Sequence, residues 1–578
     1  MANYKENYNR WLESPAVDEA TKQELLGISG NEKEIEERFY RDLEFGTAGM
    51  RGTLGAGTNK MNVYMVRKAS QGVATHIVSL GKEACSAGVL IGYDTRNFSR
   101  VFAEETAKVL VANGIKVYLF DRVHSVPEVS FGIRTLGCSA GVMITASHNP
   151  KEYNGYKVYG ADGGQLPPDA ADVVIKAINS FDIFNDIKIC SYEDAEKSGL
   201  LEVVGEDLDK QFLDTIQKQQ VNPDAVAKVK DSFNIIYTPF HGTGSRPVQT
   251  ILKRIGFDNL LVVKEQDTED GNFPTVKSPN PEDKEGFEIA IEMAKKNNVD
   301  LIIGTDPDCD RVGIVVRDAE GVYQTLTGNQ TGALLCEYLL EAMKEKGTLP
   351  KDGVIIKTIV TTELAAAIAK AYDIEIMNVL TGFKYIGEKM TEFAEKKNHT
   401  YIIGFEESYG YLVGMHARDK DGVVASMLIA EMAAYYKNKG FSLYEALQNI
   451  YKKYGYYFEK TVSVTMPGKD GMEKMAELMA NLRTNPLTEI NGMKVASKWD
   501  YKTQVTANAD GTSGTIEGLP KADVVRFNLS DNKTYCIVRP SGTEPKIKFY
   551  IASNAESLSA AEATVEAVLA DVKKQLGV

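Results

Sequence analysis

The chain is 578 residues long, with 43% apolar residues, 25% charged residues and a formal net charge of −14. At roughly 100 to 200 residues per domain that length calls for three to five domains, and the composition argues against a largely disordered chain. The acidic balance argues against a nucleic-acid partner and requires any anionic ligand to meet a local cluster of Lys and Arg.

Residues 1–43 are rich in charge, with Ile35, Phe39 and Leu43 at helical spacing, which predicts two or three short helices as an N-terminal extension. The opening MANYKENYNRWLESP lacks the apolar core of a secretion signal, and no apolar run is long enough to span a membrane. Cys85, Cys138, Cys190, Cys309, Cys336 and Cys536 are scattered without a CxxC pair, so reduced thiols and a cytoplasmic location are expected.

From residue 44 onward, apolar runs alternate with longer helical stretches. They are GVLIGYD (88–94), IKVYLF (115–120), GVMITA (141–146), FNIIYTP (233–239), LLVVK (260–264), DLIIGTD (300–306), GVIIKTIV (353–360) and YIIGF (401–405). Such runs predict buried strands in mixed or parallel sheets covered by helices. Three α/β domains are expected, at 44–210, 211–325 and 326–455, around a shared central cleft. Each carries a polar loop at the carboxyl end of a strand: ASHNP after VMIT, DPDCDR after LIIGT and EESYGY after YIIGF. In 456–578, KTVSVTM, ADVVRFNL, KTYCIVR and KIKFYIA read as short strands and Ser557 to Leu576 as a closing helix, a smaller α+β domain.

Four loops carry the chemistry. Ser147, in Thr145-Ala-Ser-His-Asn-Pro150, is a nucleophile candidate, although the loop taken alone also reads as a turn or helix cap. Adjacent Ser147 and His148 are poorly placed for a nucleophile–base pair, and no G-x-S-x-G elbow is present. Asp306, Asp308 and Asp310 repel one another unless a cation lies between them, and hard oxygen donors suit Mg²⁺. A calcium EF-hand fails, because its required Gly and Glu positions hold Arg311 and Arg317. Arg539-Pro-Ser541-Gly542-Thr543-Glu-Pro-Lys546 offers hydroxyls, an exposed amide and cations for a phosphate, or else is an ordinary turn. Glu406 and Ser408 in GFEESYG have the groups to grip vicinal sugar hydroxyls. No complete ATP or NAD signature occurs.

In this order, TASHNP, DPDCDR, EESYG and RPSGTEPK resemble the four signatures of the α-D-phosphohexomutase superfamily. GTAGMRG (46–52), NGYK (154–157), TGFKYIG (381–387) and ARDKDG (417–422) extend the resemblance over nearly the whole chain, toward the long bacterial α-phosphoglucomutases. The resemblance implies three related α/β domains and a fourth with a TATA-binding-protein-like fold. It implies that Ser147 carries a phosphoryl group and that Mg²⁺ is held by Asp306, Asp308, Asp310 and the phosphorylated Ser147. Arg51 and Lys157 would assist proton transfer and charge stabilisation, with His148 counted beside them as catalytic. Glu406 and Ser408 would hold the sugar hydroxyls, and Arg539, Ser541, Gly542, Thr543 and Lys546 the phosphate that is not reacting. Lys384 and Lys420 would be further substrate contacts.

The implied activity interconverts α-glucose 1-phosphate and glucose 6-phosphate, with glucose 1,6-bisphosphate as intermediate and activator. Mannose or pentose phosphates, bisphosphate synthesis, and phosphosugar binding without catalysis remain alternatives. The expected partner is a small phosphosugar, with no nucleic acid or membrane, in a monomer or small homo-oligomer. Two departures from the common pattern stand out. Pro307 and Cys309 replace frequent Gly or Ala, which leaves metal binding intact but raises oxidant sensitivity as a question; Phe405 replaces Gly before the EES, which puts the shape of the sugar pocket in doubt.

Overall fold

The structure is a computed structural model that describes residues 4–46, 49–466, 468–541 and 546–578. The chain divides into two compact units. The first comprises Met1–Leu326, Ile386–Tyr401 and Tyr409–Ser442; the second comprises Thr327–Tyr385, Ile402–Ser408 and Leu443–Val578.

In the first unit, helices Tyr4–Glu13, Glu19–Gly27 and Glu32–Phe39 form a small apolar cluster. Asp18 caps the second helix by accepting from the Thr21 amide at 2.9 Å, satisfying a donor the helix leaves open. Trp11 is buried and meets Phe39, Tyr64 and Phe184 edge-on, the favoured aromatic geometry, which fastens the helices to the helix Val63–Ser79 that follows.

The first sheet runs in the order Phe45–Gly46, Gly49–Thr53, Tyr153–Gly160, Ala140–Ile144, Val89–Tyr93, Val117–Phe120, Leu201–Val204. Its last four strands are parallel and its first four antiparallel, so the sheet is mixed. Val89–Tyr93 and Ala140–Ile144 are buried at every position, as continuous apolar runs require when helices cover both faces. Gly155 lies opposite Arg51, where a Cβ would stand 2.4 Å from the Thr145 carbonyl oxygen, so only glycine lets the strands approach.

The second sheet, in the order Tyr323–Leu326, Val312–Arg317, Leu301–Thr305, Ile235–Thr238, Leu260–Val262, is also mixed. Helix Gly422–Asn438 is apolar all round and buried from Gly422 to Tyr436, which makes it a core helix of this unit.

The second unit has strands Glu375–Val379, Gly353–Thr358 and Thr400–Glu406 in that order, the first two parallel. It also has an antiparallel sheet ordered Tyr456–Thr465, Lys546–Ala555, Tyr535–Pro540, Val525–Leu529, Met493–Asp500, Val505–Asn508, Ser513–Thr515. One face of that sheet packs under helices Gly468–Thr484 and Leu558–Leu576; the other, with Tyr535, Ile537 and Tyr550, packs on Ile359, Val360 and Leu380. Among the described residues no helix is long and apolar enough to cross a membrane.

Candidate active site

Ser147 follows the buried strand Ala140–Ile144 and has φ +51°, a left-handed conformation that is uncommon for a residue with a side chain. The turn is held from several sides. The Ser147 amide donates to Thr145 Oγ1 at 2.8 Å. Arg96 is wholly buried, pairs with Asp94 at 3.3 Å, and donates to the carbonyls of Ser147, Asn149, Pro150 and Tyr153. The strained turn aims the Ser147 hydroxyl at Asp306, to whose Oδ2 it donates at 2.8 Å.

Asp306, Asp308 and Asp310 leave the strand Leu301–Thr305 in a tight loop, all three buried, and their oxygens lie within 4.8 Å of one another. The amides of Asp310 and Arg311 donate to Asp306 Oδ1 at 3.1 and 2.9 Å, folding the loop around that carboxylate. Lys157, on the strand Tyr153–Gly160, donates to Asp308 Oδ2 at 2.9 Å and reaches Asp310 Oδ2 at 3.5 Å. Lys420 lies 3.1 Å from Asp310 Oδ2 and 3.0 Å from Asp419 Oδ1. The structure thus sets Lys420 among the acidic residues of the first unit, while Glu406, Ser408 and Lys384 belong to the second. Two backbone contacts brace the loop from behind: Val126 N donates to Asp308 O at 2.9 Å, and Thr243 N to Pro307 O at 2.8 Å.

The charges follow from this packing. Burial, with Asp308 and Asp310 close by, pushes the Asp306 carboxyl well above the usual carboxylate range. Burial acts on Asp310 in the same sense, but Lys420, Lys157 and Arg311 outweigh it and hold the group below its ordinary value. Burial opposes the Lys157 charge, yet Asp308 and Asp310 overcome it and raise its pKa, so it stays an ammonium. His148 is driven well below 6.5 by burial, then by Arg311 and Arg51, and is a neutral imidazole near pH 7. Its Nδ1 lies 3.1 Å from Ser147 Oγ. Sequence adjacency argued against a nucleophile–base pair, and the contact sits at the left-handed Ser147 turn. Arg51 donates to Asn149 Oδ1 at 2.9 Å, at the open side of the same loop.

In the second unit, Glu406 ends the strand Thr400–Glu406 and accepts from the Gly382 amide at 2.9 Å, beside Lys384. Lys384 begins the helix Lys384–Lys396, with its ammonium 5.0 Å from the Tyr385 ring centroid. Ser408 follows two residues on, partly buried. Arg539 faces Lys548 across the strands, and Ser541 N donates to Lys546 O at 2.7 Å, closing the neck of the RPSGTEPK loop. Burial, then Glu407, pushes the Tyr550 hydroxyl above its usual range, and Arg539 opposes the shift. Gly542 and Thr543 lie outside the described residues.

Residues 42–182, 210–321 and 327–454 match the family models for phosphoglucomutase/phosphomannomutase α/β/α domains I, II and III. The phosphoglucomutase of Staphylococcus haemolyticus is 37% identical over 523 residues, 90% of this chain and 92% of that protein. The chain belongs to the phosphoglucomutase/phosphomannomutase family, within the α-D-phosphohexomutase superfamily. The phosphoglucomutase of Staphylococcus epidermidis is 36% identical over 544 residues, covering 94% of this chain and 96% of that protein. In fold, the family member parafusin from Paramecium, in its open form, superposes with a TM-score of 0.66 at 19% identity, covering 93% of this chain and 95% of that one.

Members of this family hold a divalent metal, and the donor set fits one. Among the described residues, Asp308 Oδ1 and Asp310 Oδ1 are buried without a hydrogen-bond partner, although their second oxygens are paired. Buried carboxylate oxygens are costly unless a proton, donor or cation meets them. Hard oxygen ligands converging in a compact loop suit Mg²⁺.

Two doubts raised by the sequence resolve by burial. Cys309 is wholly buried, and burial drives its thiol well above the usual range, so it is an inert packing residue beside Gly422. Phe405 points into the core, where Gly332 makes room for its ring: a Cβ there would sit 2.2 Å from it. Sequence reading missed Arg96, because a lone Arg in YDTRNF carries no motif; the available signal was an Asp two residues earlier, just past a strand end.

Proposed function

We infer that the protein is a phosphoglucomutase, interconverting α-D-glucose 1-phosphate and D-glucose 6-phosphate through a phosphoserine at Ser147 and a glucose 1,6-bisphosphate intermediate. The observation that carries the reading is the Ser147 hydroxyl turned onto a buried acidic triplet, 2.8 Å from Asp306 Oδ2, in a chain 37% identical to a phosphoglucomutase.

Asp306, Asp308 and Asp310 would hold Mg²⁺ together with an oxygen of the phosphorylated Ser147. When bound, the ion neutralises charge on the transferring phosphoryl oxygens. Arg96 fixes the Ser147 turn, so the bond to Oγ keeps one direction when it breaks and when it re-forms. In the forward half, the phosphorus–Oγ bond breaks as a bond to the free sugar hydroxyl oxygen forms, and the hydroxyl proton passes to Ser147 Oγ, which is left as a hydroxyl; the return half reverses this at the other end of the sugar. Lys157, 2.9 Å from Asp308 and 3.5 Å from Asp310, stabilises charge and assists proton transfer. Neutral His148 lies 3.1 Å from Ser147 Oγ and Arg51 bonds Asn149 in the same loop, so both act where charge builds as the phosphoryl group leaves. Glu406 and Ser408 orient the sugar, assisted by Lys384 and Lys420. Arg539, Ser541, Gly542, Thr543 and Lys546 hold the phosphate that stays. Glucose 1,6-bisphosphate would re-prime enzyme that has lost its phosphoryl group. The cytoplasm is the proposed compartment, supported by six cysteines that are all free.

A coupled assay with Mg²⁺ and a trace of glucose 1,6-bisphosphate tests this, comparing glucose, mannose and ribose 1-phosphates. Turnover fastest on glucose 1-phosphate is expected, lost in Ser147→Ala together with the phosphoryl mass on the intact protein. Full activity in Ser147→Ala would overturn the mechanism, and faster turnover of another sugar would overturn the specificity.

A further inference from the structure

The second unit contains a cavity of about 480 Å³ outside the residues placed in phosphosugar handling, a size that small ligands fill. It is bounded by strands Met493–Asp500, Val525–Leu529 and Tyr535–Pro540 and, across from them, by Glu363 before the helix Leu364–Ala371. Tyr535 precedes Arg539 by four residues on one strand, about 13 Å at strand rise, so this cavity is separate from the phosphate cradle.

Trp499 and Arg526 face each other directly across two strands. The Arg526 guanidinium lies 5.4 Å from the Trp499 ring centroid and 4.0 Å from that of Tyr535, so rings hold it in place. Its Nε donates to Asn528 Oδ1 at 2.8 Å, and its Nη1 lies 3.7 Å from Glu363 Oε1, so its charge is balanced locally. Glu459 presents a carboxylate to the same space, fixed by the hydroxyl of Thr362. Tyr535 is 5% exposed, and its hydroxyl has no hydrogen-bond partner among the described residues. A buried hydroxyl without a partner is a cost that phenylalanine would avoid, which points to something that binds there.

The lining selects the ligand. Its two acids, Glu363 and Glu459, are matched by Arg526 and Lys533, so an ion gains little by entering. Planar amide, carboxylate and guanidinium groups beside aromatic rings match a ring that carries several hydroxyls. We propose that this cavity binds a neutral carbohydrate, with sugar hydroxyls on Tyr535, Glu459 and Asn554 and the carbon face against Trp499. The site is independent of the phosphoryl-transfer site and of the function assigned to it.

Saturation-transfer NMR with glucose and with maltose tests it, on full-length protein carrying Glu406→Ala to remove the sugar grip proposed for the active site. Transfer to at least one of the two sugars is expected, weakened about threefold to tenfold when Tyr535→Phe or Arg526→Gln is added. Tyr535→Phe removes no hydrogen bond among the described residues and relieves an unsatisfied buried hydroxyl, so its melting temperature should match or exceed the parent's. The proposal is overturned if neither sugar shows transfer, or if both added substitutions leave transfer unchanged. A drop in melting temperature for Tyr535→Phe without any loss of transfer would assign the hydroxyl to a trapped water and overturn it as well.

Discussion

Arg96→Lys separates the geometry of the Ser147 turn from its charge. The guanidinium spans four carbonyls, those of Ser147, Asn149, Pro150 and Tyr153, from two terminal nitrogens. A lysine ammonium is one point donor: it can keep the pairing with Asp94 and about two of the carbonyls. Two charge-assisted hydrogen bonds are then lost, at roughly 1.5 kcal/mol each, or about 3 kcal/mol in the folded state. The turn has a second cost, since the left-handed conformation of Ser147 stores on the order of 1–3 kcal/mol that the clamp no longer opposes. Relaxation would move Oγ by about an ångström, which costs on the order of 100-fold in rate for a reaction that depends on alignment. The assay is steady-state turnover of glucose 1-phosphate with saturating Mg²⁺, beside thermal unfolding of the same preparation. A fall in kcat of about two orders of magnitude with KM within about threefold is expected. A melting temperature that falls while kcat stays within threefold would make the clamp a stability element only and refute the reasoning.

Other outcomes follow from the same geometry. Chelation by EDTA should abolish turnover and Mg²⁺ restore it, while Asp308→Asn should lower the rate by about 100-fold or more and raise the Mg²⁺ concentration for half-activation. Metal-independent activity would count against the acidic triplet. Glu406→Ala should reduce sugar turnover while leaving phosphorylation of Ser147 by glucose 1,6-bisphosphate measurable by intact mass; equal loss of both would place Glu406 elsewhere in the mechanism. Burial raises the Glu459 carboxyl from 4.5 to about 7, against the hydrogen bond from Thr362. A raised folded-state pKa means the contribution is fully present below pH 4.5 and is lost as pH climbs through 7. Glu459→Gln should therefore raise stability at pH 8 by about 2–3 kcal/mol and change little at pH 4.5, as read by chemical unfolding at the two pH values. A pH-independent effect would refute it.

The buried strands were the easiest part to read from sequence. DLIIGTD, GVMITA and YIIGF are apolar on both faces, and the strands Leu301–Thr305, Ala140–Ile144 and Thr400–Glu406 coincide with them within a residue or two. Ser557 to Leu576 was likewise legible, since Ser557 caps the helix Leu558–Leu576 by accepting from the Ala560 amide. Strands with polar alternation were not. Tyr153–Gly160 reads YNGYKVYG, a loop by composition, yet it carries Lys157 to the Asp308 and Asp310 carboxylates because the neighbouring strand dictates its path. Met493–Asp500 and Val505–Asn508 are half-exposed, and only Met493, Val495 and Trp499 of the first pack against a core cluster among the described residues. At the site, the acidic triplet and Ser147 were legible because their chemistry is local. Arg96 and the brace from Val126 and Thr243 were not, since those contacts join segments far apart in the chain and leave no spacing to detect.

The aromatic cluster of the N-terminal helices also bears on spectroscopy. The chain has only two tryptophans, and each unit holds one: Trp11 in the first, Trp499 in the second. Trp11 is sealed among Phe39, Tyr64 and Phe184, while Trp499 is partly buried beside a guanidinium. Their emission should differ in colour and in access to quenchers, the first blue-shifted and shielded from iodide. Trp11→Phe and Trp499→Phe would each leave a single built-in reporter. Whether the two units melt together or in sequence could then be read from intrinsic fluorescence, without attaching a dye.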